Sequence, residues 1–126
     1  MLTTNELQKY IMSEINDKLD EISYSNVFFE KGDDNSAEGT YIFSTNSNYH
    51  ILYAEKGKIR SDIVVNDERE VLWYALNILS TNITMKYAMN NQEKGKKIFA
   101  LFGEDFLKRK DEEINEILEK NPYNDI

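Results

Sequence analysis

The single imidazole, His50, is the first place to look for proton transfer, because histidine titrates near neutral pH. It alternates with Leu52 and Ala54 in a strand-like run, a pattern that marks a structural or interface histidine on one strand face. The chain has no cysteine, which removes a thiol nucleophile, thiolate zinc sites and a disulfide framework. One histidine without cysteine also lacks the several-ligand spacing of a zinc site, so no metal is expected. Asp33, Asp34 and Glu38 make an oxygen-rich loop, but not in the alternating register, with central glycine and terminal glutamate, that calcium loops need. They read as a solvated acidic loop. No serine or threonine sits in a nucleophile elbow. Gly32, Gly39, Gly57, Gly95 and Gly103 match neither a phosphate loop nor a dinucleotide fingerprint, so no cofactor is expected. With 23 acidic residues, chance carboxylate pairs are abundant, and spacing alone cannot set two of them across a cleft. The signal for an enzyme is close to absent.

The basic clusters are Lys94, Lys96 and Lys97, then Lys108-Arg109-Lys110. Acids flank both, which describes a mixed-charge solvated face rather than a phosphate-binding surface. A stronger signal is the combination of Tyr41, Tyr49 and Tyr53 with Asp33, Asp34, Glu38, Glu55 and Asp62 in or beside predicted strands. Tyrosine is enriched at protein interfaces, and charge complementarity speeds association, so these eight residues are the expected partner-binding set for a basic protein. Some of the tyrosines are also expected to pack inward, since each strand buries one face.

The elements that must position these groups follow from periodicity. Residues 3–22 predict an amphipathic helix, with Thr3 and Glu6 at capping-box spacing and Leu7, Ile11, Ile15 and Leu19 on one stripe. Val27 to Glu30, Thr40 to Thr45, Tyr49 to Glu55 and Ile59 to Val65 predict four strands of an antiparallel meander, with a tight turn at Lys56-Gly57. Asp67 and Glu70 again have box spacing. The run from Val71 to Leu79 is apolar on most sides, which predicts a buried central helix reaching about Met89. A break at Asn90-Asn91, an apolar set at Ile98, Phe99, Leu101, Phe102 and Phe106 interrupted near Gly103, and a last helix stopped by Asn121-Pro122 complete the chain. The expectation is one α+β domain over residues 1–126, with the helices on one sheet face and the other face open.

Length and charge bound the function. The chain has 126 residues, 15 Lys+Arg against 23 Asp+Glu, and a net charge of −8. That size supports a core without covalent staples, and the acidity argues against nucleic-acid binding. The first residues lack the basic and apolar regions of an export signal, and the longest apolar stretch, Val71 to Ile78, is too short to span a bilayer, so a cytoplasmic protein without membrane contact is expected. The acidity is greatest in the first thirty residues, with six acidic and two basic groups, so the first helix is a candidate to share the contact surface.

From Tyr49 onward the chain carries Tyr49-His50, Glu55-Lys56-Gly57, Asp67 with Glu70-Val71-Leu72-Trp73-Tyr74, Glu113-Ile114, Ile117-Leu118 and Pro122-Tyr123-Asn124-Asp125. In these pieces it resembles the immunity protein 63 family of bacterial polymorphic toxin systems. The aromatic pair reads Trp73-Tyr74, the reverse of the family's order. The resemblance implies a non-enzymatic inhibitor that binds and neutralises a cognate toxin C-terminal domain acting in the cytosol. It carries no binding residues, because immunity surfaces diverge with their toxins. Two other readings stand beside it. One is a protein-binding adaptor, monomeric or homodimeric, with no toxin partner; the other is a small carboxylate-dependent hydrolase.

Overall fold

The computed structural model describes residues 1–20, 22–84 and 91–120, and the chain divides into two units, Met1–Leu79 and Ser80–Ile126. The first unit opens with helix α1, Thr4–Lys18. Its start is the predicted capping box: Glu6 N–H donates to the Thr3 hydroxyl at 3.2 Å, and Thr3 N–H donates to the Glu6 carboxylate at 2.9 Å. Leu7, Ile11 and Ile15 are fully buried, so the four-residue stripe is the core face. Leu19 leaves the stripe. Its backbone is extended and its N–H closes the helix on the Ile15 carbonyl, so α1 ends before the predicted residue 22.

The strands are β1 Val27–Phe28, β2 Gly39–Ser44, β3 Tyr49–Glu55 and β4 Lys58–Val65, in the order β1-β2-β3-β4. The β2–β3 and β3–β4 pairs are antiparallel, as predicted. The β1–β2 pair is parallel, with Val27 opposite Thr40 and Phe28 opposite Tyr41, so the sheet is mixed rather than a meander. The chain between them does not turn back as a hairpin. It crosses the sheet face, where Gly32 packs on the Tyr41 ring and the Tyr41 hydroxyl donates to the Ala37 carbonyl at 2.8 Å, and it returns to the end at which β1 began. A side chain at Gly32 would place its Cβ 2.6 Å from Tyr41 Cγ, so glycine permits the crossing.

Lys56 and Gly57 both take positive φ, 53° and 73°, the tight hairpin geometry that matches strand twist. A register shift follows, with Ser61 opposite Tyr53 but Ile59 opposite Ala54, which leaves Arg60 as an extra residue on β4.

One sheet face carries Thr40, Ile42, Tyr49, Ile51 and Ile63 beneath α1 and the start of helix α2, Glu68–Thr84. Ser44 N–H donates to the Thr4 hydroxyl at 3.0 Å and the Ser44 hydroxyl to the Leu2 carbonyl at 2.6 Å, which holds α1 on β2. Asp67 caps α2, accepting from Arg69 N–H through its side chain and from Val71 N–H through its carbonyl. Val71, Leu72, Trp73, Ala75, Leu76 and Leu79 are all buried, the central helix its composition predicts. Its expected continuation to Met89 and the expected break at Asn90 lie outside the described residues.

The opposite face is not open across β2 and β3. Tyr41, Phe43, Leu52 and Ala54 form a buried cluster, with Phe28 stacked on Tyr41 at 5.0 Å between ring centroids. Only β4 leaves large apolar groups uncovered, at Ile59 and Val64.

The second unit holds helices α3, Asn91–Ala100, and α4, Glu104–Lys120. They are parted at Gly103, whose φ of +129° ends the run as predicted. Phe99, Phe102, Phe106 and Ile114 form the buried seam, and the Lys110 ammonium stands 4.8 Å from the Phe99 ring centre. The stop at Asn121-Pro122 lies outside the described residues. No described helix is long and apolar enough to cross a membrane.

Candidate functional site

The eight residues selected by type and position separate into three groups. Tyr41 and Tyr49 are core residues, 5 % and 0 % exposed. The Tyr49 hydroxyl is an internal tie: it accepts from Leu2 N–H at 2.7 Å and donates to the Glu68 carboxylate at 2.6 Å. Burial and that bond push the Tyr49 phenol pKa up, and the same bond, with the helix backbone, holds the Glu68 carboxyl below its ordinary range. A partner approaching the folded surface cannot reach either tyrosine.

The second group gathers at the end of the sheet that carries the Lys56-Gly57 turn. Glu38 precedes β2, and Tyr53 and Glu55 close β3. The Tyr53 hydroxyl lies 2.9 Å from one Glu55 oxygen and 3.4 Å from one Glu38 oxygen. A phenol has one proton to donate, and the shorter contact to Glu55 takes it, so two carboxylates share a single donor. Glu55 first, then Glu38, raises the Tyr53 pKa, which keeps that proton in place. Neither carboxylate has an ion pair among the described residues, although Lys58 stands opposite Glu55 in the register.

Asp33 and Asp34 reach the same end by the crossing loop. Asp33 accepts from Asn35 N–H and from the Ser36 hydroxyl, holding the loop tip. Asp34 accepts from Ile59 N–H at 3.0 Å on the outer edge of β4. Lys56, Lys58 and Arg60 are exposed at this end too, so the patch is acidic but not uniformly so.

Asp62 stands apart, on the other face of β4. Its two oxygens lie 2.9 and 3.0 Å from His50 Nδ1, and the His50 ring stacks on Phe43 at 4.9 Å. The imidazole is anchored between an aromatic face and a carboxylate, and no hydroxyl is bonded to it, so the nucleophile of a triad is missing from the described residues. No group of three His, Cys, Asp or Glu among the described residues is placed to hold a metal ion.

Two lysines of the basic clusters are paired with acids within the second unit. Lys96 bonds Asp111 at 2.7 Å and Lys110 bonds Glu113 at 3.3 Å. The side chain of Lys94 lies outside the described residues.

A cavity of about 250 Å³ was not legible in the sequence. It is lined by Ile51, Tyr53, Ile63, Tyr74 and Ile78, with Thr40, Ser61 and Asn77 as its polar members. These residues come from three strands and one helix, and no spacing rule joins them.

A family model described as immunity protein 63 matches residues 45–116, more than half of the chain, from the turn before β3 into α4. No curated protein and no solved structure matched the chain.

Proposed function

This chain belongs to the immunity protein 63 family, and from that premise we propose that it is a non-enzymatic inhibitor that binds and neutralises a cognate polymorphic toxin in the bacterial cytosol. The family match is the observation that carries the reading. The contact surface is the acidic end of the sheet, formed by Asp33, Asp34, Glu38, Tyr53 and Glu55, with Asp62 at its margin. Tyr41 supports the crossing loop of that surface from beneath, whereas Tyr49 lies at the other end of β3, tied to Leu2 and Glu68. The toxin domain is basic, and an acidic inhibitor is steered onto it over distances of about one Debye length. The acidic groups of α1 add to that field. Binding energy is concentrated at a few aromatic and charged anchors, of which the half-buried Tyr53 is the aromatic one.

The test is co-expression of this chain with the toxin domain encoded beside it. Growth is restored by the wild-type chain and lost when Asp33, Asp34, Glu38, Glu55 and Asp62 are reversed together. Unchanged protection and affinity in that variant, with its fold intact by circular dichroism, overturn the surface assignment. Failure of the wild-type chain to protect against or bind the toxin domain overturns the function.

A further inference from the structure

We infer that the cavity beside Glu38, Tyr53 and Glu55 is the socket for one lysine or arginine side chain of the toxin, an inference that rests on the immunity reading above. The cavity is apolar along Ile51, Ile63 and Ile78. At about 250 Å³ it falls below the roughly 300–1,000 Å³ of sites for drug-sized ligands, and its scale is that of a single long side chain.

Two observations give the occupant its chemistry. The first is charge. Tyr53 lines the cavity, and its hydroxyl meets two carboxylates with only one proton to offer. Both carboxylates keep unused acceptor capacity beside the hydroxyl of Tyr53, a lining residue, and neither is neutralised by an ion pair among the described residues. The second is an unpartnered hydroxyl. Thr40 lines the cavity and is 8 % exposed, yet its side chain makes no hydrogen bond among the described residues. No enclosed side-chain oxygen or nitrogen there lacks a partner. The Thr40 hydroxyl therefore keeps a small exposure, which the cavity it lines provides.

A neutral apolar side chain fills the cavity but leaves the carboxylates and the Thr40 hydroxyl unanswered. A short cation answers the carboxylates but leaves the apolar wall wet. A long cationic side chain does both, because its methylenes lie along apolar surface while its head stays at the polar mouth. Arginine has the additional advantage of a planar fork that pairs with two carboxylate oxygens.

The experiment has two arms, both on the full chain. In the first, n-butylguanidinium chloride is titrated and followed by amide chemical shifts, with 1-pentanol as the neutral control. Shifts are expected at Thr40, Ser61 and Asn77, several-fold larger than with pentanol, and weakened in the Glu38→Gln/Glu55→Gln variant. No shift at those amides, or equal shifts in the variant, overturns the socket. In the second, affinity for the toxin domain encoded beside the chain is measured by calorimetry. The cavity-filling Ser61→Phe, at an exposed position, and Glu38→Gln/Glu55→Gln are each expected to weaken binding by about tenfold or more, the scale of one hydrogen bond to a charged group. Thr40→Val gives a smaller loss with the shape retained. Binding within twofold of wild type in all three overturns the socket while the immunity function stands. A wild-type chain that takes up butylguanidinium but neither binds nor neutralises the toxin overturns the function and the assigned occupant together.

Discussion

Tyr49→Phe removes one buried oxygen and keeps the ring that fills the space between β3 and the helices. That oxygen makes two bonds, one from the Leu2 amide at 2.7 Å and one to the Glu68 carboxylate at 2.6 Å, at a residue with no exposed surface. A neutral hydrogen bond contributes about 0.5–1.5 kcal/mol and one to a charged group about 1.5–3 kcal/mol. Glu68 is half-buried at a helix start and recovers some hydration when its partner is lost, so the expected cost lies at about 2–3 kcal/mol, the lower half of the sum. For a chain of this length that lowers Tm by about 6–12 °C. Urea unfolding followed by circular dichroism reads it as a shifted midpoint with an unchanged slope.

The same tie gives the prediction a pH signature. The Tyr49 hydroxyl holds the Glu68 carboxyl below its ordinary value of 4.5, so its stabilisation is present above that value and lost as pH falls through the lower folded-state value. The gap between wild type and Tyr49→Phe therefore narrows on acidification. At the alkaline end, the raised Tyr49 phenol contributes stability that is complete below the ordinary value of 10.0 and lost as pH rises through the folded-state value. A gap below about 0.5 kcal/mol at neutral pH, less than a single neutral hydrogen bond, refutes the account. So does a gap that stays constant into acid. A loss of toxin affinity with stability unchanged would instead make Tyr49 a contact residue.

Three further outcomes follow from particular geometry. Gly39→Ala, where φ is +152° and a Cβ would meet the Asn26 carbonyl oxygen at 2.7 Å, destabilises by about 1–3 kcal/mol in urea unfolding, because neither the backbone nor its neighbour can yield cheaply. Thr3→Ala breaks the capping box and costs about 1 kcal/mol in the same assay. Asp62→Asn changes stability by less than about 1 kcal/mol, since its bond to His50 sits at an exposed edge strand, and thermal unfolding will show it.

What could be read from the sequence was what depends on near neighbours in the chain. Thr3 and Glu6 are three residues apart and cap as expected. Leu7, Ile11 and Ile15 are a helical stripe and become a helical core. Lys56-Gly57 is a local turn, and Gly103 a local break. The parallel β1 strand was not legible, because its direction depends on where the loop travels before β2, and that path is set by Gly32 meeting the Tyr41 ring across the sheet. Burial of the tyrosines was equally hidden. Tyr49 and Tyr53 are four residues apart and lie on the same strand face, yet one sits under α1 and α2 and the other at the open end of the sheet. Alternation distinguishes faces, not positions along a face. The cavity needed Thr40, Ser61 and Asn77 from three elements, so only the tertiary structure could assemble it.

Asp34 has a second consequence. β4 is an eight-residue strand at the border of the sheet, and a border strand offers its spare amides and carbonyls to any other chain in extended form. Here Asp34 occupies the Ile59 amide, Arg60 is the extra residue that breaks the register, and Lys58 adds charge beside it. A bare border strand can template fibres of its own chain, and this acid works against that. Loss of Asp34 therefore acts on the free protein as well as on the proposed complex. A weaker response to toxin in an Asp34 variant is attributable to the contact surface only when light scattering shows the variant still monodisperse at the working concentration.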